Sequence, residues 1–301
     1  MAKDIKASTS ASHGVVPLCT GSESSENGLK MFKTTLVLLV AMLATTSSAF
    51  DLNEFVINPR IVQGENATKG QFPYYVFLKI QLSQGNAACG GSLISDEWVV
   101  TAGHCLHGAS GAEVHLGALK AKELTEEGRV ILKVPKENLH VHPRYFQAVV
   151  WNDIGLIKLP EKVKFSNTIK PVKLACSSSK NMVVTAIGNG LMNTTSKEIA
   201  PILQFTTLKT IPLMQCLPDF PILLFRKSVI CARGEQQKST CRGDSGGPLV
   251  AGNSGALVGL TSFGSALGCH LGYPQGYTNL PSYLKFIQQV TGISDCQKEV
   301  N

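Results

Sequence analysis

Ser245 lies in the run Thr240-Cys241-Arg242-Gly243-Asp244-Ser245-Gly246-Gly247-Pro248-Leu249, with an acid before it and glycines after it. A serine hydroxyl is a poor nucleophile at neutral pH and needs a base within hydrogen-bond reach. His104 is the candidate base. It sits in Thr101-Ala102-Gly103-His104-Cys105, directly after the apolar run Trp98-Val99-Val100, where a strand end feeds a turn that a cysteine can pin. The other histidines of this region, His107, His115, His140, His142 and His270, have no such setting and are read as surface residues without a task. The base in turn needs an acid on its second ring nitrogen, to set the tautomer and stabilise the imidazolium. Asp153 heads the apolar stretch Ile154-Gly155-Leu156-Ile157; alone it also fits a strand-start turn residue. In the order His, Asp, Ser, at separations of 49 and 92 residues, the three are a set suited to nucleophilic acyl transfer.

Elements that could hold such a set in place are mostly strands. Short β-prone runs recur between Gly, Asn and Pro punctuation: Tyr74 to Ile80, Trp98 to Thr101, Arg129 to Val134, Ile154 to Leu159, Met182 to Ile187 and Ala256 to Thr261. One helix is expected, over about Pro281 to Val290. Tyr283, Phe286, Ile287 and Val290 share a face, Pro281 stands near its start and Gly292 just past its end. That face is expected to pack on the outside of a barrel. From Ile61 onward there is no linker, repeat or low-complexity tract, so residues 61–301 read as one domain.

The N-terminus is built differently. Residues 1–30 are polar, rich in Ser and Gly, and read as a disordered or mis-assigned extension, with translation starting at Met31. Met31-Phe32-Lys33, the apolar run Leu36 to Ala44 and Ser47-Ser48-Ala49 follow the plan of a secretory signal over residues 31–49. The apolar run is short for a membrane span; a signal-anchor or an internal signal is the rival reading. Cleavage after Ala49 leaves residues 50–60 as a short pro-segment. Of nine cysteines, only Cys19 precedes the signal, and the remaining eight read as a disulfide framework in an oxidising compartment. Zinc is the other use of clustered cysteines, but no Cys-x-x-Cys pair is present. The formal charge of +7, from 28 basic and 21 acidic residues, is spread along the chain and argues for solubility more than for nucleic acid. Asn66-Ala67-Thr68 and Asn193-Thr194-Thr195 are glycosylation sequons. No feature demands a metal or an organic cofactor.

Taken together, these features give the stretch from Ile61 to about Ile293 a resemblance to the trypsin and chymotrypsin family of secreted serine proteases. It is carried by Arg60-Ile61-Val62, Thr101 to Cys105, Asp153-Ile154, Gly188 to Gly190, Cys241 to Pro248, Ser262 to Gly264 and the C-terminal helix, in that order. The resemblance implies an all-β fold of two six-stranded antiparallel barrels with a C-terminal α-helix. His104 and Asp153 would come from the first barrel and Ser245 from the second. The N–H groups of Gly243 and Ser245 would form the oxyanion hole, and Ser262, Phe263 and Gly264 would hold the substrate backbone. A silent precursor is also implied: cutting Arg60-Ile61 frees an α-amine that Asp244 would neutralise. The expected partners are protein or peptide substrates, an activating trypsin-like protease and protein protease inhibitors. Neither nucleic acid nor membrane is expected, and the state is a monomer. The short pro-segment is similar to those of arthropod digestive enzymes, which places the product outside the cell, in a gut lumen. Glu123, Glu126 and Glu127 leave a calcium loop of the kind some relatives have open, beside the reading as a solvated loop.

The family pairing implies the disulfides Cys89–Cys105, Cys216–Cys231 and Cys241–Cys269, and Cys176–Cys296 is inferred for the two left over. A further family disulfide is missing, with Val184 and Ala251 at its positions; Asn189 and Phe263 stand where tryptophan is usual. The pocket base, six residues before the nucleophile, is Ser239, which gives a buried Lys or Arg no counter-charge. Gly264 leaves the pocket mouth open to a large apolar side chain, and Gln275 stands on the wall, where it would fill the pocket or hydrogen-bond across it. The reading is a chymotrypsin-like endopeptidase cutting after Phe, Tyr or Leu. An elastase-like or other restricted regulatory protease is the alternative. A catalytically inactive homologue acting as a binding module is the other, and the intact His-Asp-Ser set speaks against it.

Overall fold

The computed structural model describes residues 61, 64–192, 198–221, 224 and 226–298. The signal segment, the pro-segment with Arg60, and Asn193 lie outside them. Seven strands form the first sheet: Tyr75–Leu82 (β1), Gly85–Leu93 (β2), Trp98–Thr101 (β3), Gly111–Leu116 (β4), Val130–Pro135 (β5), Leu139–Val141 (β6) and Gly155–Lys158 (β7). Their spatial order is β5-β4-β1-β2-β3-β7-β6, every neighbouring pair antiparallel. Six more build the second: Val183–Gly188 (β8), Gln204–Ile211 (β9), Val229–Arg233 (β10), Pro248–Ala251 (β11), Leu257–Phe263 (β12) and Gln275–Asn279 (β13). Here β11 pairs with both β8 and β12, so the order β11-β8-β9-β10-β13-β12 returns to β11 and the ring closes.

This corrects the expectation of two six-stranded barrels. The second half is a closed six-stranded barrel, but the first is an open, curled seven-stranded sheet whose edge strands β5 and β6 do not pair with each other. The reason lies in the link between them. Pro135 ends β5 without an N–H to donate, the chain then turns through the 3₁₀ segment Lys136–Asn138, and β6 is only three residues long. No hairpin forms there, and the seam stays open.

Strand periodicity serves two cores at once. In β1 the alternate residues Val76, Leu78 and Ile80 fill the inside of the first sheet. Tyr75 and Phe77, between them, face a second cluster that also takes Val100, Ile154 and Leu156 from the first sheet and Ile187, Val250, Leu257 and Leu260 from the barrel. That shared cluster joins the two halves. The C-terminal helix belongs to it too. A 3₁₀ turn, Leu280–Tyr283, leads into the helix Leu284–Thr291, which Gly292 ends in the left-handed conformation at φ 79°. Tyr283 and Ile287 are buried in the shared cluster, with Phe286 and Val290 against it. The expected face is the buried one, and it seals the junction of the two halves instead of lying on the outside of one.

The four disulfides are Cys89–Cys105, Cys176–Cys296, Cys216–Cys231 and Cys241–Cys269. Val184 and Ala251 are direct cross-strand partners on β8 and β11. Between β4 and β5 the chain folds around a guanidinium. Arg129 donates to the carbonyls of Lys120 (2.7 Å), Glu123 (2.8 Å) and Ala121 (3.3 Å), and to His115 Nδ1 (2.8 Å). Glu126 is buried beside it and accepts the N–H groups of Leu119 and Lys120. Of the three acids in this loop, Glu123 and Glu127 are solvated and Glu126 is not.

Candidate active site

His104 sits on a one-turn helix, Gly103–Leu106, which follows β3 and is tied to β2 by Cys89–Cys105. Asp153 lies two residues before β7, the strand paired with β3, so sheet register brings acid and imidazole together across 49 residues. His104 Nδ1 is 2.8 Å from Asp153 Oδ2, and the His104 backbone N–H donates to Asp153 Oδ1 at 2.8 Å. The Ser262 hydroxyl donates to Oδ2 at 2.5 Å and the Thr278 hydroxyl to the Asp153 carbonyl at 2.6 Å. Asp153 is therefore gripped from both halves, and only 2% of it is exposed. Burial of the imidazole works against its charged form, but the hydrogen bond and the charge of Asp153 outweigh it, and His104 titrates above its ordinary value. A proton held on Nδ1 by Asp153 leaves Nε2 as the basic nitrogen.

Ser245 precedes β11 and lies against the same helix. Its carbonyl accepts the Gly90 N–H at 2.7 Å and lies 3.6 Å from Cys105 Sγ, one residue from His104. This approach requires glycine at position 90, where a β-carbon would stand 2.7 Å from the Gly247 α-carbon. Among the described residues no hydrogen bond joins His104 Nε2 to the Ser245 hydroxyl. Such bonds often tighten only when substrate is bound.

Ser245 lines a cavity of about 260 Å³ together with Arg242, Ser262, Phe263, Gly264 and Gln275. Ser239 is not among its lining residues. It is fully buried, and its hydroxyl donates to the Thr240 carbonyl at 2.9 Å. Gln275 is 4% exposed, with Nε2 donating to the Tyr273 carbonyl at 3.3 Å. The Phe263 ring lies over Gly276 and meets Phe220 edge-on at 5.3 Å.

Asp244 is wholly buried. Burial pushes its carboxyl up to about 6, against the pull of the Cys241 and Gly190 N–H groups that it accepts at 2.8 and 2.7 Å. Among the described residues it has no cationic partner. Ile61 is fully buried as well, against Gly64, whose N–H donates to the Ile61 carbonyl.

Two participants, Thr278 and Arg242, escaped the sequence, and Ser262 was expected only against the substrate backbone. The contacts of Ser262 with the Asp153 carboxylate and of Thr278 with the Asp153 backbone carbonyl span 109 and 125 residues. Arg242 carried a signal, its place between Cys241 and Gly243, but the chemistry assembled from the sequence had no use for a cation there. The one cluster of metal-ligand types among the described residues is Cys89, His104 and Cys105, and both of its sulfurs are spent in a disulfide.

The family model described as Trypsin matches residues 61–287. The chain is 36% identical over 270 residues to Collagenase of Hypoderma lineatum, covering 86% of this chain and 98% of the relative. It is 35% identical over 235 residues to Brachyurin of Leptuca pugilator, covering 78% and 100%. Against Chymotrypsin-C of Mus musculus it is 31% identical over 273 residues, covering 84% and 97%. Among solved structures, HL collagenase superposes with a TM-score of 0.69 at 34% identity, covering 77% of this chain and 99% of that one.

Proposed function

The chain belongs to the trypsin family of serine proteases, and on that footing we propose that His104, Asp153 and Ser245 are its catalytic triad. It is a secreted serine endopeptidase whose substrates are proteins or peptides. One observation carries the assignment of residues: the 2.8 Å pairing of His104 Nδ1 with Asp153 Oδ2, beside the cavity that Ser245 lines.

Ser245 Oγ attacks the scissile carbonyl while His104 Nε2 takes its proton. The carbonyl oxygen becomes an oxyanion held by the Gly243 and Ser245 N–H groups. His104 then gives the proton to the departing amine as the C–N bond breaks, which leaves an acyl ester on Ser245. A water, deprotonated by the same nitrogen, cleaves that ester and regenerates the serine. Asp153 stays ionised and holds the imidazole. Arg60-Ile61 is the activation bond in this reading, and the freed Ile61 amine pairs with Asp244.

Among the described residues no acid lines the pocket, so a P1 Lys or Arg would be buried without a counter-charge, and an apolar, chymotrypsin-like P1 class is favoured. A digestive role accords with the arthropod relatives Collagenase and Brachyurin. The test is direct. After cleavage at Arg60-Ile61 the enzyme hydrolyses peptides through an acyl-enzyme burst, and Ser245→Ala abolishes both; hydrolysis by Ser245→Ala at near-normal rate sinks the assignment.

A further inference from the structure

We propose that the Gln275 carboxamide forms the floor of the specificity pocket and limits the P1 side chain to an aliphatic group of about leucine size, at the expense of aromatic rings. This rests on the endopeptidase reading above and sharpens its substrate class.

Gln275 begins β13, and its backbone is fixed by pairing: it stands opposite Ala232 of β10, while the next residue, Gly276, stands opposite Phe263 of β12. The side chain crosses the pocket. Its Oε1 fills the space beside Gly264 where a β-carbon would go, and Nε2 reaches the Tyr273 carbonyl. The wall at Gly264 is therefore bare of its own side chain but is not vacant. Ser239 is fully buried and does not line the cavity; its hydroxyl donates to the carbonyl of Thr240, which does.

Two physical consequences separate leucine from phenylalanine. Leucine stops at Cδ, whereas a phenyl ring continues to Cζ and needs free space on both faces, one of which the carboxamide occupies. A ring pressed onto Gln275 would also strip water from the amide without giving it a hydrogen bond. The amide donates to a neighbouring carbonyl, and swinging aside leaves that bond unmade.

The experiment uses the activated, full-length secreted enzyme. A burst titration with an acylating ester counts active sites, and kcat/KM is then measured on peptides that differ only at P1. Leu and Met are expected to exceed Phe and Tyr by about tenfold or more, the scale a pocket contact of this size sets. Gln275→Gly should raise the Phe-to-Leu and Tyr-to-Leu ratios of kcat/KM by about tenfold or more. Gln275→Ala, which retains strand propensity better than glycine, should move the ratio the same way. A wild type that prefers Phe or Tyr, or variants with an unchanged Phe-to-Leu ratio, overturns the proposal alone. Absence of a burst in the wild type overturns the serine-nucleophile reading, and this proposal falls with it.

Discussion

Ser262 and His104 share one oxygen of Asp153: the serine hydroxyl reaches Oδ2 at 2.5 Å from the barrel, and the imidazole reaches it at 2.8 Å from the open sheet. The acid therefore couples the two halves at the point where the chemistry needs a fixed imidazole. Replacing Asp153 by Asn frees His104 to take the wrong tautomer, and kcat should fall by on the order of 10⁴. Ser262→Ala removes one hydrogen bond to a charged group, about 1.5–3 kcal/mol, and should cost roughly ten- to a hundredfold in kcat/KM. Peptide hydrolysis by the activated variants measures both, and equal losses would contradict the hierarchy.

The imidazole sets the acid limb of the pH profile. His104 acts as a base only when neutral, and its folded pKa is raised by Asp153, so activity should appear as pH rises through a value above 6.5. Linkage has the matching sign. The His104–Asp153 pair stabilises the fold fully below the unfolded histidine pKa, and that contribution is lost as pH rises through the raised one. In Asp153→Asn the residual acid limb should move to lower pH, and a limb that stays in place would separate it from His104.

Asp244 should report activation. In the uncut chain its carboxyl is raised to about 6 from 3.8, so the native state binds the extra proton and stability falls as pH climbs from about 4 to 6. Cutting Arg60-Ile61 supplies an amine, and the carboxylate then becomes the favoured form. Asp244→Asn should flatten the pH dependence of Tm in the uncut protein. In the cut protein it should lower kcat/KM by two to three orders of magnitude, the scale of breaking a buried ion pair at about 3–5 kcal/mol. Thermal melts between pH 4 and 7 and peptide hydrolysis read the two effects.

His115 makes the turn around Arg129 acid-labile. Burial, with the Arg129 charge next, lowers its pKa to about 4; Lys79 adds to the shift, while Glu113 opposes it. A depressed histidine pKa means that the unfolded chain binds more protons between about 4 and 6.5, so stability drops as pH falls through that window. The loss is on the order of 2–3 kcal/mol. His115→Gln should blunt it, as urea melts at pH 4.5 and 7.5 would measure. Arg129→Gln should destabilise the fold at both pH values, because three backbone carbonyls lose their donor.

Local pattern carried more of this molecule than long-range closure did. The six expected strand runs all fall within two residues of observed strands, and the helix face of Tyr283, Phe286, Ile287 and Val290 is the buried one. Alternation and helical spacing are properties of neighbouring residues, so they survive in the sequence. Whether β5 and β6 zip together is not such a property. It turns on Pro135 and a 3₁₀ link, and a resemblance to barrels hid it. The pocket divides likewise: position in the chain singled out Ser239 and Gln275, but only the fold lays the Gln275 carboxamide against Gly264. Arg129 was missed because its acceptors are carbonyls, which no residue type announces.

The bond Cys176–Cys296 spans 120 residues and encloses nearly all of the second barrel, with the chain end laid parallel to Leu174–Ala175. In the chain-entropy account such a closure contributes roughly 5 kcal/mol. It also alters what damage means for a protease, whose own activity can cut it. A single autolytic nick between these cysteines does not release a fragment: the two pieces remain one covalent body, able to keep Ser245 opposite His104.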